Sequence, residues 1–161
     1  MYDRLTADAF LRSVRDAKIE ARRCEHRLEE LRAQCERVVA NYGPFLPGGG
    51  SDGHRDSIWV TAAEQGERLL RRQEAYLRRI DQVEAFIEEL PDARHRTILR
   101  LRYVDCRRWD AVQQGLREYG LWYEERNVYK LHGAALLSAR RCWDGWLERH
   151  PEVAGALADE E

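Results

Sequence analysis

The sequence predicts an all-α protein: a long antiparallel helical hairpin of coiled-coil type, followed by three shorter helices. Three observations predict it. Charged residues make up 35% of the 161-residue chain, with mean hydropathy −0.71 and only four prolines. That composition suits long solvent-exposed helices better than a sandwich of strands. The apolar residues of the first ninety positions fall into two heptad seams, and the heptad stops at Pro91.

The first seam runs through Phe10, Val14, Ala17, Ala21, Cys24, Leu28, Leu31, Cys35, Val38 and Tyr42, in strictly alternating steps of four and three. Sustained over more than four heptads, such spacing keeps one apolar stripe facing a partner helix along its whole length. Thr6 is placed to cap the helix start, and Gly43-Pro44 stops it. A second seam joins Trp59, Ala62, Gly66, Leu69, Gln73, Tyr76, Ile80, Val83, Ile87 and Leu90. It is weaker, because Gly66 and Gln73 interrupt its apolar character.

Between the seams, residues 43–57 contain the glycine-rich run Gly48 to Gly50, which breaks both periodicities and predicts a loop. Helices on the order of 50 to 55 Å each, at about 1.5 Å per residue, would fold back on one another there. A two-helix hairpin leaves the flanks of each seam exposed. Pairing within one chain and homodimerisation into a four-helix bundle therefore both fit residues 1–90.

After Pro91 three shorter helices are predicted, at about 92–104, 108–118 and 124–147. In the last, Val128, Leu131, Ala135, Ala139, Cys142 and Trp146 form an apolar stripe that ends before Pro151. Short helices closed by a longer one suit a helix-turn-helix over residues 91–150. Residues 151–161 read as an acidic tail.

The formal net charge of −2 conceals an uneven distribution. Residues 92–149 hold twelve Lys/Arg against eight Asp/Glu, whereas residues 44–91 hold six against nine. Arg94, Arg96, Arg100, Arg102, Arg107 and Arg108 are packed into one short stretch, as expected of a local anion-binding face. The four cysteines form no CxxC pair and read as reduced small hydrophobes, with no zinc site or disulfide framework. No signal peptide or membrane-spanning run is visible, so a cytoplasmic protein that does not enter membranes is expected. No phosphate loop, paired-carboxylate motif or nucleophile elbow occurs, so neither an enzyme nor a bound cofactor or metal is expected. His132 lacks a partner at ligand spacing and reads as a packing histidine. Trp109, Trp143 and Trp146 read as core or edge packing, and Trp122 with Tyr123 as an exposed pair.

The segment LPDARHRTILRLRYVDCRRWDAVQQGL resembles region 4 of bacterial sigma factors: Leu99 to Tyr103 occupy its Leu-Arg-Tyr helix, and Trp109 and Val112 open its next one. The continuation NVYKLHGAAL, Asn127 to Leu136, is similar to the last helix of phage and prophage late-transcription regulators. That group also carries an N-terminal coiled-coil hairpin with a glycine-rich interruption. The resemblance covers nearly the whole chain and implies a DNA-binding regulator of phage transcription, working in the bacterial cytoplasm on double-stranded DNA, on RNA polymerase, or on both.

Such folds place the start of their last helix in the major groove. By that resemblance Arg126, Asn127, Tyr129 and Lys130 are candidates for base contact. Arg100, Arg102, Arg107 and Arg108 are candidates for phosphate contact. Arg100 and Arg102 stand two apart on a helix, so one of them is expected to turn toward a carboxylate instead. The chain departs from the family in the stretch REYGLWYEE, about five residues longer than the usual turn, and in Glu124-Glu125 where a Ser or Thr cap is usual. Two other readings compete: a small terminase-like packaging subunit, which predicts a ring, and a helical interaction protein that engages host polymerase without DNA.

Overall fold

In a computed structural model, which describes residues 5–42 and 53–155, the secondary structure of those residues is entirely helical. The elements are α1 (Ala7–Tyr42), α2 (Gly53–Glu88), α3 (Ala93–Leu99), a π-helical turn (Arg100–Val104), α4 (Trp109–Glu118), α5 (Glu125–Arg149) and α6 (Pro151–Gly155). Among the described residues no helix is long and apolar enough to cross a membrane.

α1 starts where its sequence dictates. The Thr6 hydroxyl accepts from the Ala9 backbone N–H at 3.2 Å, which satisfies one of the orphan donors of the first turn. Most of the expected loop lies outside the described residues. Its last five positions, 53–57, belong to α2 instead, since no proline and no run of glycines remains after Gly50 to oppose helix. Both seams reappear in the burial pattern. Every described seam residue is buried or half-buried, from Phe10 to Val38 in α1 and from Trp59 in α2 to Leu90 just beyond its end.

The chain divides into two compact units, but not at Pro91. One contains the described residues up to Ala17 and from Arg78 onward; the other is 18–77. The reason is aromatic packing. Phe10 of α1 and Phe86 of α2 meet edge-on at 6.0 Å between centroids, and Trp143 and Trp146 of α5 pack on both, at 5.0 to 5.4 Å. The start of α1 and the end of α2 thus share a core with α3 to α6. A bidentate pair adds to this: Arg140 of α5 donates to both oxygens of Asp8, at 2.9 and 2.6 Å, and holds that carboxyl below its usual range.

Within this unit Asp92 caps α3 by accepting from the Arg94 N–H at 2.8 Å. The helix then widens by one residue into the π-helical turn, closed by Asp105 N–H to the Arg100 carbonyl at 2.9 Å. Cys106 follows in the left-handed region, φ 55°. α4 ends in a Schellman motif: Gly120, at φ 76°, donates to the Arg117 carbonyl and Leu121 to that of Leu116, each at 2.9 Å. Residues from Pro151 are not a free acidic tail at their start. Proline at a first helical position is favourable, and α6 buries Val153 completely in the core. Residues 156–161 lie outside the described set.

Candidate nucleic-acid interface

α5 sorts its own first turns. Val128 and Leu131 are buried, while Arg126, Tyr129 and Lys130 are exposed and Asn127 is half-buried. This follows from helical spacing: residues three apart share a face, and the inward face is already committed to the stripe that continues through Ala135 and Ala139. Tyr129 rests against Trp109 of α4, centroids 4.8 Å apart. Arg126 approaches Glu124 at 3.5 Å, with both side chains more than three-quarters exposed. No side chain caps α5; its first amides are closed by the Glu124 carbonyl, which accepts from Asn127 and Val128.

The six arginines of 94–112 split into two groups. Arg94, Arg96 and Arg100 fasten the junction between α2 and α3. Arg94 pairs with Asp92 at 2.8 Å, Arg96 donates to the Leu90 carbonyl, and Arg100 donates to Glu88. Asp92 is held far below the usual carboxylate range by the Arg94 guanidinium and by its N–H. Arg100, then, is the one of the 100/102 pair that meets a carboxylate. The second group points elsewhere. Arg102 donates to the Arg107 carbonyl at 2.7 Å and lies over the Trp109 ring at 4.7 Å. Arg107 and Arg108 approach Glu118 and Asp110 only at 3.9 Å, and Arg108 is 91% exposed.

Arg107 also explains a glycine. A Cβ on Gly115 would lie 2.9 Å from the Arg107 guanidinium and 2.9 Å from the buried Leu101 side chain, so α4 approaches the π-helical turn more closely than any side chain allows.

His132 packs, as its isolation in the sequence implies. Its Nε2 and the Tyr103 hydroxyl share a hydrogen bond of 3.0 Å, and its ring meets Trp109 edge-on at 4.8 Å. Burial, and then the Arg102 charge, lower its pKa; burial raises that of Tyr103. Tyr123 differs from expectation, being half-buried with its carbonyl accepting from Gln113 at 3.0 Å, whereas Trp122 is 75% exposed with Arg117 over its ring. Trp143 is buried, and its indole N–H donates to the Leu5 carbonyl at 2.9 Å. The cysteines are free and buried or half-buried. No cluster of His, Cys, Asp or Glu able to hold a metal occurs among the described residues.

Two arginines outside the expected set, Arg12 and Arg15 of α1, line a cleft with Arg102, Trp109 and His132. Ninety residues separate them from Arg102, and in the sequence they look like the solvated flank of a heptad. No family model, curated protein or solved structure matches this chain.

Proposed function

We propose that the chain is a DNA-binding transcription regulator of phage or prophage origin, resembling sigma factor region 4, in which an antiparallel helical hairpin is joined to a helix-turn-helix. In this reading α4 and α5 form the helix-turn-helix, and α5 enters the major groove. The observation that carries it is the sorting at the start of α5: Arg126, Tyr129 and Lys130 outward on a helix whose other face is fixed in the core. A rigid helix presenting donors at that spacing is what base readout requires. Arg107 and Arg108, with no carboxylate closer than 3.9 Å, are the phosphate contacts of this reading. Phe10 near the start of α1 meeting Phe86 near the end of α2 supports the antiparallel hairpin.

The test is an electrophoretic mobility assay with phage-genome fragments. The Arg126→Ala/Lys130→Ala double variant should lose about tenfold to a hundredfold in affinity for its preferred fragment. Arg108→Ala should weaken all fragments alike and reduce the magnitude of the log–log salt slope by about one. Equal retention of wild type and double variant removes α5 as the reader.

A second reading rests on a different observation. Tyr119 and Trp122 are exposed in the long turn, and Asp110, Glu124 and Glu125 crowd the start of α5 with charge that repels phosphate. An exposed aromatic pair beside carboxylates suits a protein partner such as RNA polymerase. Retention of polymerase with no DNA retained at any salt concentration selects it.

A further inference from the structure

Some surface arginines of the long helices pair with a carboxylate about one turn away. Arg23 meets Glu20 at 3.0 Å, Arg27 meets Glu30 at 2.8 Å and Arg71 meets Glu67 at 3.5 Å. Neither Arg12 nor Arg15 has a carboxylate that close. Arg15 has no Asp or Glu three or four positions away on either side. Arg12 reaches Asp8 only at 3.9 Å, and that carboxylate already receives both arms of Arg140. Arg102 meets no carboxylate either, since its charge lies against a carbonyl and the Trp109 ring.

These three arginines line the same cleft, of about 460 Å³, together with Asp16, Tyr103, Trp109 and His132. Because burial and Arg102 favour the neutral form of His132, the lining carries three positive charges against the single carboxylate of Asp16. Like charges gathered around one cleft repel, and an anion between them relieves that repulsion. The fork of a guanidinium matches two phosphate oxygens at once. The volume exceeds what a bare phosphate needs and falls in the range of small-ligand pockets, about 300–1,000 Å³. Tyr103 offers a hydroxyl, and Asp16 an acceptor for a ligand hydroxyl.

We propose that this cleft binds a phosphate-bearing ligand of about mononucleotide size, with the phosphate held by Arg12, Arg15 and Arg102 and a hydroxyl of the ligand by Asp16. A free nucleotide and a nucleotide unit of a DNA strand share this chemistry. The site borders the start of α5 through Trp109, against which Tyr129 rests, but it includes none of Arg126, Asn127, Tyr129 and Lys130 and does not depend on that helix reading bases.

The experiment is isothermal titration of the full-length chain with adenosine 5′-monophosphate, with adenosine and with a DNA duplex, each against wild type, Arg12→Gln/Arg15→Gln and, as a control on α1, Arg22→Gln. All three arginines are exposed, so circular dichroism should be unchanged. Binding of the monophosphate, absent for adenosine and weakened about tenfold or more in the double variant only, supports the cleft as a free-nucleotide site. No monophosphate binding, but a loss of about tenfold in duplex affinity confined to the double variant, assigns the phosphate to a DNA strand. Adenosine bound as well as its phosphate, or no change in either ligand with the double variant, overturns the proposal. If Arg126→Ala/Lys130→Ala still weakens duplex binding in that last case, only the cleft is lost and the reading of α5 stands.

Discussion

The two compact units are built on the same heptad, yet they bury it differently. In the unit holding the start of α1, the end of α2 and α3 to α6, Phe10, Val14, Val83, Phe86 and Ile87 are wholly inaccessible. In 18–77 the same register buries Ala21, Cys24 and Leu31 but leaves Leu28, Cys35, Trp59, Leu69 and Tyr76 half-buried, and off the seam Ile19, Val60, Leu70 and Leu77 are exposed. The difference is one of layers. In the first unit a third layer, formed by the aromatic face of α5, closes over the seam; within residues 18–77 only two helix segments can cover each other. A heptad stripe thus specifies which side of a helix is apolar, and the number of layers decides how completely water is removed.

This contrast can be broken by truncation. Phe86→Ala should cost about 3–5 kcal/mol, as for other buried aromatics, whereas Leu69→Ala should cost under about 2 kcal/mol. Equal losses in urea unfolding would erase the distinction between the units. Gly115→Ala sharpens it next. The added methyl meets the buried Leu101, so the variant should lose about 1–3 kcal/mol although alanine is the better helix former. Cys106→Gly should do the reverse and gain about 1 kcal/mol, because glycine tolerates the φ of 55° that a Cβ resists. The smallest effect is a pH dependence. Folding lowers the pKa of His132, so across the ordinary histidine range the unfolded state binds more protons and stability declines as pH falls. His132→Gln should flatten that part of a thermal-melt profile. Asp8 behaves oppositely in origin but not in direction: its lowered carboxyl contributes fully above the usual carboxylate range, and that contribution is lost as pH falls through the depressed value.

Much of this organisation was legible in the residues. The heptad positions, the Thr6 cap, the stop at Pro91 and the approximate limits of α3 to α5 all follow from local spacing and capping chemistry, while the stop expected at Gly43 lies outside the described residues. The π-helical turn did not, because one inserted residue leaves the apolar pattern of Leu99, Leu101 and Val104 readable as ordinary helix. The shared core of Phe10, Phe86, Trp143 and Trp146 was equally hidden, since Phe86 and Trp143 stand beside their stripes and no stripe names its partner. Of the candidate site, the exposure of Arg126 and Lys130 could be read from the period of α5. The cleft could not be read: Arg15 lacks a carboxylate three or four positions away, but so does Arg37 of the same helix.

The aromatic knot of Phe10, Phe86, Trp143 and Trp146 has a consequence for anyone who would excise the C-terminal helices as a portable module. A fragment beginning at Pro91 takes both indoles with it and leaves behind the two benzyl rings that cover them. Such a cut should yield a sticky, loosely ordered peptide that binds hydrophobic dyes. The smallest transplantable piece keeps the residues up to Ala17 and those from Arg78 onward.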